Sequence, residues 1–284
     1  MNILVIGMCG NSLFYSKNEK TLLREEPGGK GYNQAVAIKK LGQAVSFVGA
    51  IGKDDSGDKC SEYLDNLGVE NHLIRKNGNS TFAKIYVDEF GNNDINVSLG
   101  VRLDFNDLDY IKDLINSHEL IMLQNEIDEN LNIKIIEHCI LKNKKILVNP
   151  APKCKWIKPY LNKIFIITPN EEEARYLFEI LDEIPNNQIG KILLEKGYNN
   201  VLVTLGSAGS VLIKDNSIKY FDSLKVKAVD TTGAGDLMNA CIAYGIANDI
   251  DMEKSVELGT KACAYSVQRK YVLDSYPIKI EQFK

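Results

Sequence analysis

Short apolar runs rich in Ile and Val recur along the chain, separated by stretches in which apolar residues return every three or four positions. NILVIG (2–7), AVSFVGAIG (44–52), ELIMLQ (119–124), KKILVN (144–149), KIFIIT (163–168) and NNVLVT (199–204) read as strands. GYNQAVAIKKLG (31–42) has helical spacing and stops at Gly42. NEEEARYLFEIL (170–181) opens with Asn and three Glu, which suit the unpaired N–H groups and positive dipole end of a helix start. The alternation predicts an α/β fold, a mostly parallel sheet with helices on both faces.

One region breaks this rhythm. STFAKIYVDEFGNNDINVSLG (80–100) alternates like a hairpin with a turn near Gly91-Asn92-Asn93, and Thr81, Ala83, Ile85 and Val87 share one face. Residues 12–26 are extended in character as well. Together they predict a small β-sheet lid whose apolar face covers a substrate cleft, an equivalent sheet of a second copy, or both. An ordinary edge hairpin on the main sheet is the plainer alternative. The expected division is a core of residues 1–10, 27–70 and 100–284 and a lid of residues 11–26 and 71–99.

The 284 residues with 44% hydrophobic content allow one large domain with a small appendage. The net charge is −4, from 34 basic and 38 acidic residues, and no long basic run appears, which argues against nucleic acid as a partner. No apolar run reaches about 18 residues, so no membrane span is expected. MNILVIGMCG lacks a basic start and reads as a buried strand, not a signal peptide. The six cysteines (9, 60, 139, 154, 241, 263) show no CxxC spacing, which fits a reduced, cytoplasmic chain with buried thiols. His72, His118 and His138 are scattered and read as structural or surface residues.

The chemistry concentrates in DTTGAGD (230–236), which precedes the apolar helical pattern LMNACIAYGIA (237–247). Two glycines around one small residue let backbone N–H groups approach a ligand closely, and the helix start favours an anion. Asp236 puts a carboxylate beside that site, as deprotonation of an attacking hydroxyl requires. The plain alternative is a turn with an acidic residue in the first helical turn. A dinucleotide fingerprint fails because Met238 stands where the third small residue belongs, and a P-loop fails because no GK[ST] follows. Four strands end in polar residues, at Gln124-Asn125-Glu126, Asn149-Pro150-Ala151-Pro152, Thr168-Pro169-Asn170-Glu171 and Thr204-Leu205-Gly206-Ser207. They form a polar rim where open α/β sheets bind ligands. Gly28-Gly29-Lys30-Gly31-Tyr32-Asn33 opens the first helix. Lys30 and Asn33 read there either as ligand donors or as a solvated lysine and a helix cap.

PGGKGYNQAVAIKKLG (27–42), FVGAIGKDDSGD (47–58), NPAP (149–152), TPNEEEA (168–174), VTLGSAG (203–209) and VDTTGAGD (229–236), in this order, resemble the ribokinase-like (PfkB) family of sugar kinases. The resemblance implies a Rossmann-like core with a β-sheet lid and ATP-dependent phosphoryl transfer to a sugar hydroxyl, ribose being the leading acceptor. It makes Asp236 the catalytic base and Gly233, Ala234 and Gly235 the anion hole. It makes Gly29, Lys30, Asn33 and Glu126 sugar contacts. Asn170, Thr204, Gly206 and Ser207 become nucleotide contacts, and Glu173 a ligand of Mg²⁺ through water. Mg²⁺ would be held mainly by phosphates and waters. A homodimer through the lid would cover its apolar face.

The departures bear on substrate. Where the family carries GSxNxD after the first strand, this chain has Gly7-Met8-Cys9-Gly10-Asn11-Ser12, so Ser12 takes the Asp position and Gly10 the Asn position. A serine accepts hydroxyls more weakly than a carboxylate, and Asn11 compensates only if the register shifts. The family's GAN becomes Gly100-Val101-Arg102; Arg102 is either a positive charge near the acceptor or a surface arginine. The family's cation loop becomes Arg269-Lys270-Tyr271-Val272-Leu273-Asp274-Ser275, leaving Asp230 and Thr232 as contributors to a K⁺ site. A nucleoside, a sugar acid or a sugar phosphate are the alternative acceptors. A non-catalytic sugar- or nucleotide-binding regulator is the alternative of another class.

Overall fold

Strand Ile3–Ile6 lies inside a nine-stranded sheet, parallel to Leu120–Gln124 on one side and to Val45–Val48 on the other. This computed structural model describes residues 1–16, 18–87 and 93–283, with the side chains of residues 87 and 93–95 outside the description. Beyond Leu120–Gln124 the sheet continues in parallel through Lys145–Asn149, Ile166–Ile167 and Val201–Thr204. It ends in an antiparallel pair, Ser210–Lys214 and Ser217–Phe221, which the sequence reading does not anticipate. The opposite edge is Glu70–Asn71. The expected strand at 163–168 shortens to Ile166–Ile167, because Lys158–Lys163 coils into a 3₁₀ helix with Pro159 in its first turn.

Alternate residues of the central strands serve two layers. Leu4, Ile6, Ile121, Leu123, Ile146 and Val148 join the core beneath helices Leu108–Asn116, Glu129–Leu141, Glu171–Phe178 and Asn186–Glu195. Ile3, Val5, Leu120, Met122 and Leu147 join the core beneath Lys30–Lys40, Asp55–Leu67, Ala234–Ala247 and Met252–Ser266. In Ala234–Ala247 every residue from Asp236 onward is buried, as expected of a helix apolar on all sides and enclosed by neighbours.

A separate four-stranded sheet runs in the order Leu22–Gly28, Gly10–Ser16, Thr81–Val87, Asn93–Ser98. It begins later than expected in its second half. Glu70–Asn71 instead pair with Val45–Val48 at the edge of the large sheet, and Ile74–Arg75 pair with Ala50–Ile51 as a separate two-stranded sheet. Gly10 and Pro27-Gly28, expected in the core, belong to lid strands. Of the expected turn, Gly91 and Asn92 lie outside the described residues and Asn93 opens a strand. On the lid, Phe14, Glu26, Thr81 and Ile85 are buried, whereas Leu22, Leu23, Val97 and Leu99 are each more than half exposed. Among the described residues no helix is long and apolar enough to cross a membrane. All six cysteines are free.

Candidate active site

The sheet reverses its winding between Ile3–Ile6 and Leu120–Gln124, so the crevice at their carboxyl ends is the expected ligand site of an open α/β sheet. Gln124 ends one of these strands and Glu126 follows it. Gly29, Lys30 and Asn33 enter from the helix after the other. Asn170 and Thr204 adjoin further along the same edge, joined by an isolated parallel bridge.

Asp236 lies in the first turn of Ala234–Ala247 and is 7% exposed. Its Oδ2 accepts from Asn33 Nδ2 at 3.1 Å and its Oδ1 from Gln34 Nε2 at 3.0 Å. Burial raises its pKa above the ordinary carboxylate value, opposed by the Lys30 ammonium and the Gln34 and Asn33 donors. Gln34 is the residue that sequence reasoning missed. Its Nε2 also reaches Asn149 Oδ1 at 3.2 Å, and its Oε1 accepts from Gln124 Nε2 at 2.7 Å. Asn149 Nδ2 donates to the Thr168 carbonyl, Thr168 Oγ1 donates to Asn239 Oδ1, and Asn239 Nδ2 donates to the Gly235 carbonyl at 2.8 Å. One chain of hydrogen bonds therefore runs under the site from the strand ends to helix Ala234–Ala247.

The start of that helix is shaped by Gly233, whose φ of 77° favours glycine. A Cβ there would stand 2.5 Å from Val272 Cγ1, whereas a Cβ on Gly235 would enter open space. Ala234 N–H and Leu237 N–H find acceptors in the carbonyls of Thr231 and Gly233. Those of Gly235 and Asp236 find none among the described residues. Two free amides beside open space at a helix start make a cradle for an anion.

Lys30, Glu126, Glu173 and Asp236 share one electrostatic field. Burial works against the Lys30 ammonium, but the carboxylates of Asp236, Glu126 and Glu173 outweigh it and raise its pKa. Glu126 Oε2 accepts the Lys30 backbone N–H at 2.7 Å, capping a helix whose own N-cap, Gly29, has no side chain. Burial pushes Glu126 up to about 7, with Lys30 opposing and Asp236 adding to the rise. Asn33 Oδ1 is buried without a hydrogen-bond partner, an acceptor that awaits a donor.

Further along the edge, Asn170 and Glu173 form a reciprocal capping box. Asn170 Oδ1 accepts the Glu173 N–H at 2.8 Å, and Glu173 Oε2 accepts the Asn170 N–H at 2.9 Å. Burial raises the Glu173 pKa. Thr204 ends its strand. Gly206 and the exposed Ser207 form a 3₁₀ turn, and a Cβ on Gly206 would meet nothing.

Asn11 and Ser12 lie on opposite faces of strand Gly10–Ser16, and Asn11 Nδ2 donates to Glu25 Oε1 and to the Ser56 carbonyl. Ser12 Oγ lies over Gly28, 2.8 Å from where a Cβ there would be, and makes no hydrogen bond among the described residues. At Gly10 a Cβ would stand 2.4 Å from the Thr81 carbonyl oxygen, so no side chain fits. Arg102 is exposed and forms no ion pair among the described residues.

Of the two residues expected at a monovalent cation, Asp230 accepts the Thr232 N–H through Oδ1. Nearby, the Val267 carbonyl accepts two N–H groups and the Leu273 carbonyl accepts from the Lys40 ammonium.

The family model for pfkB family carbohydrate kinases matches residues 1–279. A ribokinase of Lactococcus lactis is 34% identical over 252 residues, covering 86% of this chain and 80% of that protein. A deoxyribokinase of Salmonella typhi is 32% identical over 271 residues, covering 90% and 86%. The crystal structure of ribokinase from Thermotoga maritima superposes with a TM-score of 0.85 at 31% identity, covering 99% of this chain and 98% of that one.

Proposed function

The chain belongs to the pfkB family of ATP-dependent carbohydrate kinases, and from that membership we propose that it transfers the γ-phosphoryl group of ATP to a hydroxyl of a small sugar, ribose first, with Asp236 as general base. One observation carries the reading: a single helix start holds a buried carboxylate fixed by two amide donors beside two backbone N–H groups without acceptors. Phosphoryl transfer depends on positioning and charge stabilisation more than on covalent help. Asp236 accepts the proton of the attacking hydroxyl. The turn Gly233-Ala234-Gly235 and the free amides hold the charge of the transferring group.

Gly29, Lys30, Asn33, Glu126 and Ser12 receive the sugar, and the unpartnered Asn33 Oδ1 accepts one of its hydroxyls. Asn170, Thr204, Gly206 and Ser207 receive the nucleotide. Mg²⁺ would supply charge neutralisation, and Glu173 would hold it through water. No cluster of three ligating side chains exists among the described residues, so this chain would supply only part of its shell. No monovalent cation enters this reading. The half-exposed Leu22, Leu23, Val97 and Leu99 support a homodimer through the lid, and the free cysteines support a reducing, cytoplasmic setting.

A deoxypentose is the second reading. It is favoured by the deoxyribokinase relative and by Ser12, a weaker hydroxyl acceptor than the carboxylate the family pattern expects. A phosphorylation screen over ribose, 2-deoxyribose, hexoses, sugar acids, sugar phosphates and nucleosides, with Asp236→Asn as control, tests both. Pentose turnover by the parent and not by the control is expected. Ligand binding with no turnover of any sugar would replace the kinase with a regulator.

A further inference from the structure

The lid strand Leu22–Gly28 places Arg24 and Glu26 on the face it shares with Phe14 and Ser12, their cross-strand partners. Phe14 and Glu26 on that face are buried, and Arg24 is partly so. The face grips the segment after helix Met252–Ser266, where Tyr271 stands at the N-cap of the short helical turn Val272–Ser275. Glu26, 3% exposed, accepts the Val272 N–H through Oε1 at 3.0 Å. Arg24 lies 3.3 Å from Glu26 Oε2 through Nε and 2.7 Å from Asp274 Oδ2 through Nη2. Its guanidinium sits 4.5 Å over the Tyr271 ring, and the Phe14 ring meets the same tyrosine edge-on at 5.5 Å.

The gripped segment is also the wall of the catalytic turn. Val272 Cγ1 closes on Gly233, and Tyr276 Oη donates to the Gly233 carbonyl at 3.2 Å. Tyr271 holds φ 65° and ψ 146°, a backbone region that side chains other than glycine's rarely enter unless their surroundings compel them. Burying a carboxylate is costly, and an apolar residue would seal the same contact. What an apolar residue cannot do is fix one particular amide.

We propose that Glu26 is a positioning residue for phosphoryl transfer: through the Val272 N–H it sets the Gly233 turn, so that the anion cradle is in register only while the lid strand is docked on the 271–274 segment. The inference rests on the kinase reading of Asp236 and Gly233. Lid and cradle are thereby one mechanical unit. Arg24 and Phe14 hold Tyr271, Glu26 holds Val272, and Val272 and Tyr276 hold Gly233.

Amide hydrogen exchange and steady-state kinetics on the full chain test it, with Glu26→Ala, Glu26→Gln and Tyr271→Gly. In Glu26→Ala, amides of 231–236 and 272 should exchange about tenfold faster. kcat should fall about 10- to 100-fold with KM for ATP and sugar within about threefold. Glu26→Gln keeps an acceptor oxygen and should recover most of kcat. Tyr271→Gly relieves the backbone and therefore folds, yet loses both ring contacts, so it should also loosen 231–236 and lower kcat. The proposal is overturned if exchange at 231–236 is unchanged and kcat stays within about twofold in Glu26→Ala, or in Tyr271→Gly should the former not fold. It is equally overturned if Glu26→Gln is no better than Glu26→Ala. Failure of the kinase reading shows separately, as absence of turnover in the parent, because the exchange measurement needs no turnover.

Discussion

Gln34 Nε2 lies 3.0 Å from Asp236 Oδ1 while the same side chain accepts from Gln124 at 2.7 Å, so the Asp236 carboxylate is oriented by a residue whose own amide is fixed. The donor also stabilises the carboxylate form of Asp236. Gln34→Met should therefore lower kcat by about 10- to 100-fold and move the acid limb of the kcat–pH profile upward. An unmoved acid limb would show that Gln34 does not govern the base.

Asp236→Asn should cost about 10²–10⁴ in kcat. It should not cost the fold, because burial already disfavours the charged form and Asn33 can turn its free Oδ1 toward the new amide. Single-turnover rates and a thermal melt, read together, check this. Full activity in the variant would remove Asp236 from the chemistry.

Two neighbouring glycines should behave oppositely. Gly233→Ala puts a Cβ 2.5 Å from Val272 Cγ1 and 2.7 Å from Tyr276 Oη at a left-handed φ, and should destabilise by about 1–3 kcal/mol. Gly235→Ala points into open space and should leave the melting temperature nearly unchanged. Its methyl occupies the anion cradle, so activity should fall by about tenfold or more. Comparable melting losses in both variants would contradict the cradle.

Glu126 titrates in the folded protein at about 7, against an ordinary 4.5, chiefly through burial. The folded state binds this proton more tightly than the unfolded chain does. The resulting stability is fully present below about 4.5 and is lost as pH rises through about 7, amounting to roughly 1–3 kcal/mol. In denaturant titrations from pH 4 to pH 8, Glu126→Gln should show a flatter decline than the parent. Sugar kcat/KM should move the other way in the parent, rising through pH about 7 as the carboxylate becomes an acceptor. Parallel stability curves for the two proteins would refute the assignment.

The ammonium of Lys40 occupies the Leu273 carbonyl, and Arg24 sits on the same segment between Glu26 and Asp274. Fixed cations already neutralise this region. Rates in potassium and in a bulky organic cation at equal ionic strength should therefore agree. Marked stimulation by potassium would reopen a site at Asp230 and Thr232.

The parts of the site that follow from local chemistry were legible in the sequence. A Gly-Ala-Gly turn before an apolar helix announces an anion site, and polar residues after apolar runs announce the ligand edge of the sheet. Asn170 with three following glutamates read correctly as a helix start, and the structure completes it as a capping box. Gln34 was hidden because Asp236 lies 202 residues away, and a glutamine inside a helical pattern looks like any solvated position. Its mark in retrospect is that Gly31 to Ile38 are all buried, too wide a face for a helix resting on the sheet alone. The grip of Arg24 and Glu26 was hidden for the same reason. The strands Glu70–Asn71 and Ile74–Arg75 were not legible because two residues are too short to show a period.

The hydrogen-bonded chain from Gln124 through Gln34 and Asn149 to Thr168 and Asn239 reaches both the Asp236 carboxylate and the Gly235 carbonyl. Carboxylate and cradle, neighbours in one helical turn, are thus held from below by the row of strand ends. The same turn is steadied from the other side by Val272 and Tyr276, so it rests on two bearings, and a fault at either reaches both groups.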